Sequence, residues 1–199
     1  MRNEVRAKTQ PYDDYAFTLV KTVELAGGEQ SFDEEILAEA VGICVGEDWV
    51  VSLSVPPDDP VDRVWDAVRR GDSRILDRGP DFTAYRIVDM IVDEYFTVLD
   101  DLETDIEAIE EAVTVSTDIE TLEEINALRR DLLAFRKVAW PCREAVGVLA
   151  RGGPTQVRDE TEKYYRDVYD HLVQVVDLTE TYRDLTTGTR DIYLNTLSQ

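Results

Sequence analysis

From position 164 onward, side chains with apolar bodies return every seven residues, at Tyr164, His171, Leu178, Leu185 and Ile192. A second series, Val168, Val175, Tyr182, Thr189 and Thr196, runs three or four positions out of phase with the first. Two offset heptad series are the a and d seams of a helix that packs along its whole length. The stretch 155–199 holds no Pro and a single Gly, Gly188, so the spacing predicts a continuous stalk helix of roughly 65 Å at 1.5 Å per residue. Its polar side is equally regular, with Asp170, Asp177, Asp184 and Asp191 at seven-residue intervals and Asp167 one step round from the first of them. Towards the C-terminus Thr186, Thr189 and Thr196 take the place of aliphatics. Small polar residues on a seam suit a helix lining a wet axis better than one sealed in a core. The sequence reaches Gln199 with no Gly or Pro to stop the helix, and a continuation is expected.

The first part of the chain has a different period. Residues 1–11 are charged and unpatterned and read as the end of an element whose start lies outside the sequence. Residues 15–25, YAFTLVKTVEL, alternate and are β-branched, Gly27-Gly28 marks a turn, and residues 36–45 and 49–55 read as two more strands. Glu47-Asp48 is short enough to close a hairpin between the last two. Three antiparallel strands are expected.

PPDDP at 56–60 then breaks the sheet and starts a short helix with Val61, Val64, Trp65 and Val68 on its apolar face, ending near Gly71. DRGPD at 77–81 opens a long helix whose seam is Val88, Val92, Tyr95, Leu99, Leu102, Ile106, Ile109 and Val113. Thr117 with Glu120 has the form of a capping box that restarts the chain as another helix. The seam of that helix is Leu122, Ile125, Leu132, Phe135, Ala139, Cys142, Val146 and Leu149, ended by Gly152-Gly153-Pro154, with Pro141 predicting a kink near Val138. Two long helices joined by a few residues make an antiparallel αα-hairpin. The fold class is α+β, organised as 1–80 (small antiparallel sheet), 81–153 (long acidic hairpin) and 154–199 (stalk helix).

Charge adds a second constraint. The net charge is −22, from 43 acidic and 21 basic residues spread over every segment, and only four of the basic residues are Lys. An evenly acidic, Lys-poor chain that still carries nine Tyr is neither an acidic tail nor disordered. It looks like an adaptation to molar salt, where self-repulsion is screened within about 3 Å. Nucleic acid and anionic lipid are poor partners for such a surface. Cys44 and Cys142 lie far apart in apolar surroundings, as reduced thiols do. No secretory signal is seen at the N-terminus, and no run approaches the roughly 18 apolar residues of a membrane span, so this stretch is expected to be soluble.

Reactive chemistry is scarce. With one histidine and no GxGxxG, P-loop, GxSxG or CxxC, only carboxylates remain as reactive groups, and an enzyme is not expected. Carboxylates without soft ligands suit a hard cation, Mg2+ or Ca2+. Asp167, Asp170 and His171 share one turn of the stalk, and Asp89, Asp93 and Glu94 one turn of the first hairpin helix. A solvated acidic face is the preferred reading of each residue taken singly, and His171 on a seam reads as a packed histidine.

Three stretches together resemble the CorA family of divalent-cation transporters. FTAYRIVDMIVDEYFTVLDDLETDIEAIEEAV is similar to that family's first hairpin helix, and RRDLLAFRKVAWPCREAVGVLAR, with Trp140-Pro141-Cys142-Arg143-Glu144, to its second. YYRDVYDHLVQVVDLTETYRDLTTGTRDIYLNTLS resembles the stalk, and the strands match part of a cytosolic αβα domain more loosely. The resemblance implies a homopentameric, funnel-shaped Mg2+ channel, with Co2+ or Ni2+ as further ions, in which this portion is the cytosolic sensor. It implies metal-binding roles for Asp89 on the hairpin, Asp167 on the stalk and Asp191 near the pore mouth. It also implies attachment to the membrane through C-terminal helices and a Gly-Met-Asn loop, neither of which this sequence contains. Mg2+ held between copies would cancel the repulsion of two carboxylates about 4 Å apart, on the order of 4 kcal/mol. The second expectation is a stand-alone soluble helical interaction protein derived from that family, and a zinc-transporting relative is a third.

Overall fold

The computed structural model describes residues 5–26, 35–55, 59–115 and 118–198. Among these residues six strands precede the helices: β1 (Lys8–Pro11), β2 (Tyr15–Lys21), β3 (Glu24–Ala26), β4 (Glu35–Leu37), β5 (Ala40–Gly46) and β6 (Val50–Leu53). β1, β2, β5 and β6 form one antiparallel sheet in that order, with Tyr15 opposite Gly46 and Lys21 opposite Ala40, while β3 and β4 pair as a separate ribbon. The single strand expected over 15–25 is therefore broken at Thr22 and Val23, and that over 36–45 at Ala38 and Glu39. The two breaks face each other, since the Thr22 N–H donates to the Glu39 carbonyl at 2.9 Å, and the bend turns Val23 into the core. β1 is an edge strand that the charged N-terminal stretch did not signal. It ends on Pro11, which an edge tolerates because no ladder bond is lost inside the sheet. The Glu47-Asp48 turn forms as expected, with the Gly46 N–H donating to the Trp49 carbonyl at 2.9 Å. The Gly27-Gly28 turn lies outside the described residues.

Alternation gives the sheet two unlike faces. Val20, Val41, Ile43 and Val45 point to the helices and are buried, whereas Val51 and Leu53 on the opposite face are 47% and 63% exposed.

Among the described residues five helices follow: α1 (Asp59–Arg69), α2 (Ser73–Leu76), α3 (Pro80–Val115), α4 (Ile119–Ala150) and α5 (Asp159–Leu197). The PPDDP break lies outside the described residues at 56–58. α1 buries Val61 and Val64 as its spacing predicts, and Gly71, with φ of +75°, ends it. α2 is unforeseen, a single turn capped by Asp72, whose side chain accepts from the Arg74 N–H. α3 starts on Pro80, which suits a first helical position because its missing N–H would be unpaired there anyway. The N-cap of α4 is Asp118 rather than the expected Thr117–Glu120 box, and Thr117 lies outside the described residues. Asp118 Oδ1 accepts from both the backbone N–H and the hydroxyl of Thr121 at 2.9 Å, satisfying a donor that the helix leaves free. α4 continues through Pro141 as one helix.

α3 and α4 form the expected antiparallel hairpin, with Tyr95 and Phe135 in edge contact across it at 5.7 Å between ring centroids. The Tyr95 hydroxyl donates to the Lys21 carbonyl at 2.6 Å, which fixes the hairpin on the end of β2. The predicted seam of α3 from Val88 to Val113 is buried throughout. Cys44 and Cys142 are both free thiols.

α5 runs about 58 Å along both hairpin helices, and here the predicted seams need correction. Val168, Val175, Tyr182 and Thr189 are buried as expected, but their partners are Tyr165, Leu172, Thr179, Thr186 and Tyr193, each one residue after the predicted series. Each aliphatic on this seam contributes about 2 kcal/mol by leaving water. Leu185 and Ile192, expected to be packed, are instead 45% and 58% exposed. Of the threonines expected on a wet axis, Thr196 is exposed, but Thr186 and Thr189 are buried, as is Thr179. Thr179, Thr186 and Thr189 face the hairpin, and their hydroxyls donate to the carbonyls of Val175, Tyr182 and Leu185 at 2.7, 2.8 and 2.9 Å, so these three hydroxyls are paired within their own helix. Tyrosines tie the seam at each end: the Tyr165 hydroxyl donates to the Asp81 carbonyl at 3.4 Å and the Tyr193 hydroxyl to that of Asp118 at 2.8 Å. α5 thus runs parallel to α3.

Candidate metal centre

Asp89 sits in the third turn of α3, one step off the buried stripe of Val88 and Val92, so its side chain emerges at the edge of the helix pack with 15% exposure. Arg86, one turn earlier, donates Nη1–H to Asp89 Oδ2 at 2.5 Å. Burial and the neighbouring Asp93 push the Asp89 carboxyl above its ordinary value, while Arg86, Tyr85 and His171 oppose the shift. The influence of His171 crosses from α5. The structure thus brings the hairpin acid to the flank of the stalk, near the one histidine in the chain.

His171 is exposed rather than packed in the seam, and its ring meets Phe96 edge-on at 5.9 Å. Asp167 lies one turn before it and Asp170 beside it, both exposed. Asp191 is exposed further along α5. Its offset of 24 residues from Asp167 corresponds to about 36 Å of helix, so these two acids cannot share an ion. Glu94 is engaged elsewhere, accepting from Arg63 at 3.3 Å.

The donor chemistry suits a hard cation, because carboxylate oxygens dominate and only one imidazole is near. The geometry of one chain is incomplete: among the described residues no group of three or more His, Cys, Asp or Glu could hold a metal ion. A cation at Asp89 would also compete with Arg86 for the same oxygen. Ligands from elsewhere, or water, must complete any site these acids form.

The sequence reading passed over two pairs. Arg86 and Asp89 are three apart on one helix, a spacing at which opposite charges meet, so that pair was legible. Asp81 and Arg158 are not neighbours in any local sense. Asp81 is 1% exposed in the first turn of α3, and Arg158, the N-cap residue of α5, donates to it from its backbone N–H at 3.0 Å and from Nη2 at 2.7 Å. Burial raises the Asp81 carboxyl, but the hydrogen bonds from Arg158 and Thr161 outweigh it and hold the group below the ordinary carboxylate value. Gly79, with φ of +83°, lets the chain pass beneath that guanidinium, since a Cβ there would lie 2.8 Å from Arg158 Nη2.

The sequence matches the family described as "CorA-like Mg2+ transporter protein" over residues 1–199. It is 31% identical over 196 residues to the cobalt/magnesium transport protein CorA of Thermotoga maritima, covering 97% of this chain and 54% of that protein. The chain therefore spans about half the length of this relative. The soluble domain of CorA from Methanocaldococcus jannaschii superposes with a TM-score of 0.82 at 24% identity, over 96% of this chain and 74% of that one. The complete structure of the CorA magnesium transporter from the same organism gives 0.83 at 22% identity, over 100% of this chain and 61% of that one. At these identities the structural likeness speaks for the fold.

Proposed function

Since this chain belongs to the CorA-like Mg2+ transporter family, we propose that it is the cytosolic, ion-sensing portion of a divalent-cation transporter. No helix among the described residues is long and apolar enough to cross a membrane, so the part of the protein seen here bears on regulation rather than conduction. The observation that carries the reading is the pairing of two features on α5. Leu185 and Ile192 form an uncovered apolar stripe with half-buried Leu178, and the acids Asp167 and Asp191 stand exposed on the same helix. An apolar stripe asks for a cover, and a second copy of the same helix supplies one. Bringing copies together also brings their carboxylates together, and that repulsion is relieved by a cation. Mg2+ would fill this role, with Co2+ and Ni2+ as further ions, at Asp89, Asp167 and Asp191. The assembly is a homopentamer on the cytoplasmic side of the membrane, and Mg2+ between copies favours the closed state. Mg2+ keeps most of its own water, which suits the incomplete donor set of one chain and makes the site weak enough to respond to cellular Mg2+.

The test uses the intact transporter in vesicles. Mg2+ is expected to protect the wild-type cytosolic portion from proteolysis, and Asp89→Ala or Asp167→Ala to shift that protection to higher Mg2+. Protection unchanged in both variants overturns the reading.

A further inference from the structure

A groove of about 770 Å³ opens between the end of α1, the single turn of α2 and the first turns of α3. Its lining inverts the charge of the molecule. Five arginines, Arg63, Arg70, Arg74, Arg78 and Arg86, stand against two aspartates, Asp72 and Asp77, on a chain in which acids outnumber bases 43 to 21. Gly71, at φ of +75°, folds the chain back between the two helices so that Arg70 and Arg74 face the same space.

Three of the five are already engaged: Arg74 by Asp72 at 2.7 Å, Arg86 by Asp89 at 2.5 Å and Arg63 by Glu94 at 3.3 Å. Arg70 and Arg78 have no carboxylate in ion-pair contact among the described residues. Arg78 is nevertheless held in place. Its guanidinium lies 4.4 Å from the centroid of Phe82 and 5.0 Å from that of Tyr164, and it donates to the Tyr164 hydroxyl at 2.8 Å. Stacking of this kind orients a guanidinium without neutralising it. The remaining wall is apolar, from Val64, Ile75 and Met90.

We propose that this groove binds a small phosphate polyanion, either a nucleotide or an inorganic polyphosphate. Planar guanidinium forks match phosphate oxygens pairwise, and several converging forks ask for more than one phosphate. The volume suits a ligand of nucleotide size, and the apolar wall would take a base. The net charge of the chain does not forbid it, because even in a buffer of about 0.15 M salt charges more than about 8 Å away are screened and the local arginines prevail.

Calorimetric titration of this chain with ATP and, separately, with tripolyphosphate tests the proposal, in buffer free of divalent cations at fixed ionic strength. One site per chain is expected. Arg70 is exposed and follows the last residue of α1, where its backbone N–H donates to the Asp66 carbonyl at 3.1 Å, a bond that does not involve the side chain, so Arg70→Glu should keep its circular dichroism while losing at least about tenfold in affinity. Arg70→Lys should recover part of that loss. Asp167→Ala, which removes a proposed cation position, should bind the anion as the wild type does, and this separates the present inference from the sensor reading. Tighter binding of ATP identifies a nucleotide site, and equal binding a polyphosphate site. No binding of either anion at about 10 mM, or equal binding by Arg70→Glu, overturns the proposal.

Discussion

Asp81, in the first turn of α3, and Arg158, at the N-cap of α5, are 77 positions apart in sequence, and their side chains meet with Arg158 Nη2 2.7 Å from Asp81 Oδ1. The pair locks the start of the hairpin to the start of the stalk. Arg158 is half-exposed while Asp81 is buried, so the two substitutions differ in cost. Arg158→Met leaves a buried carboxylate with fewer donors and is expected to cost about 2 kcal/mol, whereas Asp81→Asn removes the charge and should cost about half as much. Urea midpoints of the three proteins at neutral pH decide this. Equal midpoints would mean the pair contributes nothing.

The same pair sets a pH dependence. The folded-state value of Asp81 is depressed, so its contribution is fully present above the ordinary Asp value of about 4 and is lost as pH falls through the lower folded value. Wild type should lose more stability than Asp81→Asn between about pH 4 and pH 2. Parallel losses would show that other carboxylates govern acid unfolding.

Arg86 occupies the oxygen of Asp89 that a cation would need. If the sensor reading holds, Arg86→Ala in the intact transporter should lower the Mg2+ needed for protection from proteolysis, by up to about tenfold. Protection should also weaken on mild acidification sooner than an ordinary carboxylate allows, because burial and Asp93 raise the Asp89 carboxyl and protons compete with the metal. A higher Mg2+ requirement in Arg86→Ala would instead show that the arginine orients the acid for the ion.

Leu185 and Ile192 test the proposed assembly. Both are exposed on the single chain, so Leu185→Glu with Ile192→Glu should leave folding within about 0.5 kcal/mol of wild type while abolishing the proposed pentamer. Sedimentation in detergent reads the assembly, and circular dichroism the fold. A pentamer that survives the double variant places the contact on another surface.

The charge of −22 predicts a salt response. Screening removes self-repulsion that favours the unfolded chain, so the thermal midpoint should rise by several degrees between about 0.1 M and 2 M KCl. A midpoint that is flat or falls would argue against adaptation to molar salt.

Sequence by itself determined the elements whose evidence is local. The four–three spacing from Val88 to Val113 and the alternation around Val41, Ile43 and Val45 each specify which side is buried without reference to anything distant, and the structure buries those sides. The Arg86–Asp89 pair was equally available, since both residues lie on one helix face. On α5 local evidence was not enough. A heptad repeat fits several adjacent series, and Tyr164, His171 and Leu178 satisfy the period as well as Tyr165, Leu172 and Thr179 do. Only the groove between α3 and α4 selects the second set, because it accepts threonines whose hydroxyls bond back to their own helix and is anchored by Tyr165 and Tyr193 on backbone carbonyls 84 and 75 positions away. The Asp81–Arg158 lock and the arginine groove belong to the same class. Each joins groups separated by a turn or a whole hairpin, and which side chains meet there is set by how the helices pack.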